Sequence, residues 1–462
     1  MKRLPRLLSA AVVGVYLLVV VGATAALADA ARACGTWPGC SLSGPVGPAL
    51  AVAVGHRVAA AVVGLLVLVA AVAAWRSETS SRIRWALAVA LVLYPIQVLV
   101  GAFVAVLGAP ALVAGGHLLV GAAIFSALVL ALAWHLEAET GADDRPTGRP
   151  EPAFDPDEPV ESPEPPSPAY GSIAARAKGT ARAYFQLTKP RLMWLLCLVA
   201  SAGMALAAGP GLSVGTVVAT LGGGVLAIGA SGTFNHVLER DVDARMDRTS
   251  DRPVATHQVP VRNAVVFGLA LAVLSLVAFL TVNLLAAVLG LVAILFYSVV
   301  YTLLLKPNTV QNTVIGGLAG ALPALIGWAA VTGEVGLPGL ALAGVVFLWT
   351  PAHFYNLALA YRDDYERGGF PMMPVVRGET ETRKHILLYL GATLLGASVL
   401  SALTDLGWLY AATTVGLGAV FLVAVVRLHY ERSEGAAFRA FHASNAYLGL
   451  LLVAIVVDSL AF

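Results

Sequence analysis

About thirteen apolar segments divide this chain, and each is close to the ~20 residues that a membrane-crossing helix needs. Inside a bilayer the backbone must satisfy its own polar groups, which a helix does within one segment. Composition agrees, since 58% of the 462 residues are hydrophobic and 12% are charged. The sequence therefore predicts an all-α polytopic membrane protein.

The distribution of positive charge predicts the orientation. If the N-terminus, with Lys2, Arg3 and Arg6, lies in the cytoplasm, only Arg32 and Arg57 of the 29 Lys and Arg residues fall on or near the outer side. Such a bias is typical of cytoplasmic loops. We therefore expect a multi-pass protein of the cell (plasma) membrane. A net charge of +2 gives no indication of nucleic-acid binding.

The apolar segments form two groups, separated by a polar stretch. Residues 1–136 hold four segments and residues 183–462 hold nine. Between them, residues 137–182 are rich in proline and acidic side chains, a composition that cannot bury enough apolar surface to fold. We predict a four-helix membrane domain, a disordered cytoplasmic linker and a nine-helix membrane domain.

An acidic stretch follows the sixth apolar segment. Asn235, Glu239, Asp243 and Asp247 recur at steps of four, which places side chains on one face of a helix, whereas Asp241 falls on another face. Carboxylates crowded at the mouth of an apolar helix repel one another unless a cation neutralises them. Mg²⁺ carrying a phosphate ester suits such oxygen ligands. The alternative is a solvated, charged loop between helices.

Basic residues lie at the same predicted membrane face. Lys189 and Arg191 open the fifth segment, Arg248 and Arg252 follow the acidic stretch, and Lys306 closes the eighth segment. Ammonium and guanidinium groups bind phosphate oxygens, although such charges alone could simply set the topology. Beside carboxylates that hold a metal ion, they predict a site for a phosphorylated ligand.

A second acidic cluster ends the tenth segment at the same predicted face. It contains Asp363, Asp364 and Glu366, and two acidic helix ends could together hold a two-metal diphosphate site. His353 lies about ten residues inside the segment, close to Trp349. An ionisable group inside a span is a candidate functional residue. The alternative for His353 is a packed core histidine.

Two histidines stand out in the first domain. His56 in the second segment and His117 in the fourth fall at similar depth, where they could hold a haem iron from both sides. Arg57 would then be near enough to pair with a propionate. The alternative is two histidines hydrogen-bonded within the bundle. Cys34 and Cys40, in an outer loop, could form a disulfide, with free thiols as the alternative.

This first domain resembles one four-helix half of haem A synthase. The matching residues are Trp37-Pro-Gly-Cys40, Gly55-His-Arg57 and His117. Haem A synthases have two such halves, whereas this chain has one. In addition, Ala53 stands where the oxidising half of that family carries a Glu. The resemblance implies a module that holds haem B, and it implies haem A synthase as a partner, but it does not imply haem A synthase activity.

The second domain resembles the UbiA-type intramembrane prenyltransferases and, within them, the protoheme IX farnesyltransferases. Asn235, Glu239 and Asp243 match the first acidic motif of the family. Subgroup features are matched by Thr188-Lys-Pro-Arg191, Arg240-Asp-Val-Asp243, Arg248-Thr249, Trp349-Thr-Pro351, His353-Phe354, Asp363-Asp-Tyr365 and Pro371-Met-Met-Pro374. The resemblance implies a nine-helix UbiA-type bundle.

It also implies an activity, namely transfer of a farnesyl group from farnesyl diphosphate to a vinyl group of haem B, with addition of water to give haem O. The implied Mg²⁺ ligands are Asn235, Glu239, Asp241, Asp243, Asp247, Asp363 and Asp364. The implied diphosphate-binding residues are Lys189, Arg191, Arg248, Arg252 and Lys306, and the implied catalytic residues are Asn235, Glu239, Asp243, Asp364 and His353.

Two other functions are compatible with these residues. The first is prenylation of a quinone ring or a lipid alcohol, because the donor site would be the same. The second is a membrane haem carrier or electron-transfer protein that uses His56 and His117, which would leave both acidic clusters unexplained.

Overall fold

The computed structural model describes residues 3–23, 34, 36–40, 47–107, 111–141, 148 and 173–461. Within this part of the chain, thirteen helices are long and apolar enough to cross a membrane. The predicted fold class, an all-α multi-pass membrane protein, is therefore confirmed. No strand occurs among these residues.

Four long helices precede the polar stretch, as predicted. They are α1 (Arg3–Ala23), α2 (Pro48–Arg76), α3 (Ser81–Leu107) and α4 (Ala111–Thr140). The later helices that carry the candidate site are α5 (Ile173–Leu187), α6 (Pro190–Ala208), α7 (Val214–Leu238), α8 (Arg240–Asp243), α9 (Val261–Leu280), α10 (Leu284–Leu295), α11 (Asn312–Thr332), α12 (Leu337–Ala360), α13 (Arg362–Arg367) and α14 (Met373–Val376). A π-helical segment, Phe296–Leu305, continues α10. The chain ends with α15 (Glu379–Leu403), α16 (Trp408–Glu431) and α17 (Glu434–Ala461).

The chain divides into two compact units, and this division differs from the predicted domains. The first unit comprises Met1–Asp144 and Arg383–Ala454, and the second comprises Arg145–Thr382 and Ile455–Phe462. Most of the last three helices therefore group with α1–α4 rather than with α6–α12. Composition and span counting identify helices but carry no information about which helices pack together.

Buried hydroxyl groups help to hold the first unit together. The hydroxyl of Tyr16, on α1, lies 2.9 Å from Thr414 Oγ1 on α16, and that oxygen lies 3.2 Å from the Tyr447 hydroxyl on α17. All three side chains are buried. A hydroxyl buried in an apolar region is costly unless it is hydrogen-bonded, so these contacts favour this grouping of helices.

The predicted linker is wrong at both ends. Helix α4 continues to Thr140, and helix α5 begins at Ile173, so residues 137–140 and 173–182 are helical. Ala and Arg are frequent in α5 and have high helix propensity. The Pro-rich sequence between α4 and α5 hides this helix propensity when the whole stretch is read as one linker. The predicted disorder of residues 142–147 and 149–172 lies outside the described residues.

Small residues bring α6 and α11 close together in the second unit. A Cβ added to Gly203 would collide with the carbonyl oxygen of Ala324, and one added to Gly327 would collide with that of Ala200. Small residues at a helix crossing allow backbones to approach closely within a membrane. This crossing fixes the position of α6, which begins directly after the candidate site residue Lys189.

Candidate active site

The first acidic stretch forms one continuous helical face. Glu239 N donates to Asn235 O at 3.0 Å and Asp243 N donates to Glu239 O at 2.7 Å, so the four-residue periodicity continues from α7 through α8. Three of the four side chains that were predicted to share one face, those of Asn235, Glu239 and Asp243, do so. All three are buried, with 2%, 6% and 2% of Asn235, Glu239 and Asp243 exposed.

Each of these buried polar side chains has a basic partner. Lys306 Nζ lies 2.6 Å from Glu239 Oε1. Arg252 Nη1 lies 2.6 Å from Asp243 Oδ2 and 3.6 Å from Glu239 Oε2, so the two carboxylates share one guanidinium. Lys189 Nζ donates to Asn235 Oδ1. A buried charge is tolerated only when it is paired, and here the predicted basic residues provide the pairing.

Lys189 reaches the site through an unusual turn between α5 and α6. Its backbone is left-handed, with φ 52° and ψ 57°, a conformation that is strained for a residue with a side chain. The turn also needs Gly232 on α7, because a Cβ there would lie 2.8 Å from Leu187 O and 3.1 Å from Lys189 Cγ. The backbone therefore holds the Lys189 side chain against the acidic face.

The π-helical segment contributes the opposite wall. Asn235 Nδ2 donates to Thr302 Oγ1 at 3.2 Å, and Lys189 Nζ donates to the Tyr297 hydroxyl at 3.2 Å. The segment ends where Lys306 N donates to Tyr301 O at 2.9 Å, a bond spanning five residues. Such wider turns often occur at functional sites. Here the wider turn places Tyr297, Thr302 and Lys306 on the side of the segment that faces α7.

The charges perturb the pKa values of the groups outside the membrane spans. Burial would raise the pKa of the Glu239 carboxyl, but Lys306 and Lys189 outweigh it and lower that pKa. Burial raises the pKa of Asp243, and Arg252 offsets only part of the rise. Burial and the Arg252 charge lower the pKa of Lys189 to about 7. Lys189 therefore keeps its proton less readily than an exposed lysine does.

The second acidic cluster contributes one buried carboxylate. Asp364, on α13, accepts hydrogen bonds from Asp247 N at 2.9 Å and from Arg248 N at 3.4 Å, and it pairs with Arg367 at 3.0 Å. It therefore ties α13 to the loop that follows Asp243. The Arg248 guanidinium lies 5.3 and 5.2 Å from two ring centroids, those of Tyr361 and Tyr365.

The other predicted ligands do not join this cluster. The side chains of Asp241, Asp247 and Asp363 are 76%, 81% and 88% exposed, and each pairs with an arginine. After Asp243 the backbone bonds shorten to three-residue turns, which moves Asp247 off the helix face. Arg191 is exposed in the first turn of α6. Among the described residues, no group of three or more His, Cys, Asp or Glu side chains is placed to hold a metal ion.

His353 lies among aromatic rings. Its ring stacks on Trp349, with centroids 4.3 Å apart and planes at 14°, and it meets the Phe354 ring edge-on at 6.1 Å. The side chain is buried. This position agrees with the alternative of a packed histidine, and a catalytic role stays a prediction.

An apolar cavity opens beside Lys189. It encloses about 730 Å³ of space that protein atoms do not occupy, part of it open to the surroundings. Helices α6, α7, α10 and α11 provide most of its lining, and Lys189 and Tyr297 lie at its polar end. A site that joins an apolar cavity to basic side chains can take a ligand with an apolar tail and an anionic head.

The comparisons with known proteins identify the family. A family model described as the UbiA prenyltransferase family matches residues 195–450. The chain belongs to the UbiA prenyltransferase family.

Two sequence relatives and one solved structure are similar to this chain. "Protoheme IX farnesyltransferase 1" of Natronomonas pharaonis is 71% identical over 457 residues, covering 98% of each chain. "Protoheme IX farnesyltransferase 1" of Saccharopolyspora erythraea is 48% identical over 302 residues, covering 63% of this chain and 96% of that one. A solved structure, from work on a digeranylgeranylglyceryl phosphate synthase, has a TM-score of 0.53 and 14% identity, and it covers 62% of this chain and 100% of that one. This UbiA family member is therefore an enzyme, a multi-pass membrane prenyltransferase.

Several contributors to this prenyltransferase site carry no clear sequence signal. Thr302 and Tyr361 belong to common residue types in a membrane helix or its end, whereas Tyr365 belongs to the matched segment Asp363-Asp-Tyr365. Phe370, whose ring centroid lies 4.3 Å from Lys306 Nζ, sits in an irregular stretch. Arg367 follows the second acidic cluster, and its charge beside Asp363 and Asp364 is the one signal that could have drawn attention to it.

The first unit of the prenyltransferase contains the other predicted residues. The Nδ1 atoms of His56 and His117 are buried and have no hydrogen-bond partner among the described residues. Gln97 Nε2 lies 3.3 Å from His117 Nε2. Cys34 and Cys40 form a disulfide, with their Cα atoms 5.3 Å apart.

Arg57 binds the backbone of the disulfide loop. Its Nη1 donates to Thr36 O at 2.9 Å and to Pro38 O at 3.2 Å, and its Nη2 donates to Cys34 O at 3.4 Å. The guanidinium therefore holds the disulfide loop on α2. The predicted pairing of Arg57 with a propionate stays a prediction.

Proposed function

We propose that this prenyltransferase transfers a farnesyl group from farnesyl diphosphate to a vinyl group of haem B, with addition of water, giving haem O and diphosphate. The observation that carries the proposal is the buried polar face of Asn235, Glu239 and Asp243, paired with basic residues beside an apolar cavity. The names of the relatives support haem B as the acceptor. The product is a precursor for the cofactor of haem-copper oxidases, and haem A synthase is the proposed partner that receives it.

The donor atoms suit Mg²⁺ when it arrives with a diphosphate. This ion needs only one or two protein carboxylates, because phosphate oxygens and water complete its coordination. Glu239 and Asp243 are two buried carboxylates that already share one cation, Arg252, and Asn235 adds a neutral oxygen. The metal supplies positive charge that offsets the negative charge of the leaving group. We propose that Asp364 completes the second side of the site.

The basic residues would stabilise the departing diphosphate. When the allylic C–O bond breaks, its electron pair leaves with the diphosphate. We propose that Lys306, Arg252 and Arg248 bind the developing charge. Lys189 joins them at the polar end of the cavity. The rings of Tyr297 and Tyr301, 5.6 Å apart, present faces that can shelter the allylic cation.

The acceptor then completes the reaction. The π-electrons of a haem vinyl group form the new C–C bond, and water adds to the resulting cation and loses a proton. We propose that His353, held by its stack on Trp349, positions the haem or takes this proton.

The first membrane domain, residues 1–136, is proposed to hold haem B through His56 and His117. Its support is the pair of buried, unpartnered Nδ1 atoms among the described residues. The linker then keeps this haem near the transferase domain, residues 183–462, because tethering raises the effective concentration. Both the N-terminus and the diphosphate site are proposed to face the cytoplasm, in the plasma membrane.

The test is an assay of the purified Asp243→Asn variant with farnesyl diphosphate, Mg²⁺ and haem B, with haem O measured by mass. We expect a loss of at least about a hundredfold, since the substitution removes a buried carboxylate that is proposed to hold the metal ion, and this ion offsets the leaving-group charge. Asp363→Asn, whose side chain is 88% exposed, is the matched control and should keep wild-type yield. Wild-type yield from Asp243→Asn would refute the role of this face. Label from farnesyl diphosphate on a quinone or lipid instead of haem would refute the acceptor.

A further inference from the structure

The lining of the apolar cavity can be measured along α7. Along α7 its lining residues extend from Gly232, beside Lys189, to Thr220. With a rise of about 1.5 Å per residue, that stretch of helix measures about 18 Å. Phe279, near the end of α9, lines the cavity at the end away from Lys189, since α9 and α7 are joined there through Gly223.

The Phe279 ring is fixed between two helices. It is fully buried, and it lies against two glycines, Gly223 on α7 and Gly290 on α10. A Cβ on Gly223 would lie 3.0 Å from the ring, and one on Gly290 would lie 2.6 Å from it. One turn earlier, Ser275 Oγ donates to Gly223 O at 2.7 Å, which anchors α9. The ring therefore packs closely against both α7 and α10, which restricts its movement towards either helix.

The length of the cavity distinguishes prenyl chains. With C–C bonds of about 1.5 Å, an extended farnesyl chain reaches about 14 Å and a geranylgeranyl chain about 19 Å. The ring lies beside Gly223, which is nine residues and so about 14 Å along α7 from Gly232. With the diphosphate at Lys189, this distance matches three isoprene units, and a fourth unit would extend past the ring. A geranyl chain leaves part of the apolar lining unfilled.

We infer that Phe279 determines the length of the prenyl donor, with Gly223 and Gly290 as the residues that hold its ring in place. The inference rests on the proposed function and deepens it, because it names the residue that selects farnesyl diphosphate among prenyl diphosphates. Phe279 is a specificity residue that contacts the end of the tail and takes no part in bond breaking.

The test compares geranyl, farnesyl and geranylgeranyl diphosphate with haem B, using the purified full-length chain and Phe279→Leu and Phe279→Ala variants. One misplaced methylene in an apolar pocket changes kcat/KM by about tenfold or more, so the wild type should prefer farnesyl over geranylgeranyl diphosphate by at least about tenfold. Both variants should reduce that preference by about tenfold or more. Leu280→Ala, at a neighbouring side chain that is 54% exposed, should leave it unchanged.

A variant at Ala227, which lines the cavity nearer Lys189, tests the inference in the opposite direction. Ala227→Leu fills the middle of the cavity and should shift the preference from farnesyl towards geranyl diphosphate. If the wild type uses geranylgeranyl diphosphate as well as farnesyl diphosphate, or if folded Phe279 variants keep the wild-type preference, the inference is wrong.

A different result would bear on the proposed function. Absence of haem product with all three donors would contradict haem prenylation. The length preference is then measured separately, from the thermal stabilisation of wild type and Phe279→Leu by each of the three diphosphates. Equal stabilisation of both proteins by farnesyl and geranylgeranyl diphosphate would refute the role of Phe279.

Discussion

Replacing Lys306 with Met should destabilise the fold, because it leaves Glu239 without its closest cation. The two side chains are 11% and 7% exposed, and their charged atoms lie 2.6 Å apart. At an effective dielectric constant of about 20, the attraction at this distance is about 6 kcal/mol before desolvation is counted. Breaking a buried ion pair costs about 3–5 kcal/mol, since the remaining charge is uncompensated.

A second cation reduces the expected loss. Arg252 Nη1 stays 3.6 Å from Glu239 Oε2, so part of the attraction persists. We therefore expect Lys306→Met to lower the free energy of unfolding by about 2–4 kcal/mol. Glu239→Gln removes the uncompensated charge, so the double variant should recover most of that loss.

The assay is equilibrium unfolding in mixed micelles for the wild type, both single variants and the double variant. Asp241→Asn is the control, because Asp241 pairs with Arg240 at the surface, where such pairs contribute little. Additive effects of the two site substitutions, or equal effects of Lys306→Met and Asp241→Asn, would refute the claim that the buried pair is coupled.

Further predictions concern the turn at Lys189, the metal and the first unit. Gly232→Ala should raise the KM for farnesyl diphosphate by about tenfold or more, because a Cβ would lie 2.8 Å from Leu187 O and displace the turn. Steady-state kinetics measure the KM, and thermal unfolding checks that the protein stays folded. The pKa of Lys189 is about 7, below its ordinary 10.5, so the side chain loses its proton as the pH rises through 7. Affinity for a prenyl diphosphate should therefore fall between pH 6 and 8, which binding titrations check. Lys189→Arg should make this affinity less dependent on pH. The same shift makes the unfolded state bind more protons between pH 7 and 10.5, so this group's contribution to the free energy of unfolding should rise with pH there. Chelation of divalent ions should abolish haem O formation, and Mg²⁺ should restore it. His56→Ala in the full chain should abolish the absorption band of a six-coordinate haem, with the farnesyl transfer rate measured in parallel.

The membrane helices and the centre of the site were predictable from sequence for different reasons. Long apolar runs signal membrane spans directly, because the bilayer sets their length. The four-residue spacing of Asn235, Glu239 and Asp243 placed them on one face, and the short-range helical bonds preserve that spacing. Asp247 was misplaced because the backbone changes to tighter turns after Asp243, a change that spacing alone does not encode.

Long-range geometry was not predictable. The left-handed turn at Lys189 depends on Gly232, a residue on another helix. The π-helical segment that carries Tyr297 and Thr302 has an ordinary apolar sequence. Similarly, the packing of Tyr16 against Thr414 joins positions far apart in the chain, and no local pattern marks it.

The resting ion pairs have a consequence for the order in which substrates bind. Glu239 and Asp243 are neutralised by the chain's own Lys306 and Arg252. A metal ion that binds alone must displace Lys306 and Arg252 from the carboxylates. An anion that binds alone must compete with the carboxylates for the same two basic side chains. When the metal ion and the diphosphate bind as one complex, the carboxylates can pair with the metal ion and the basic side chains can pair with the diphosphate. Every buried charge then keeps a partner. We therefore expect the resting enzyme to bind the metal ion and the diphosphate together more readily than either of them alone.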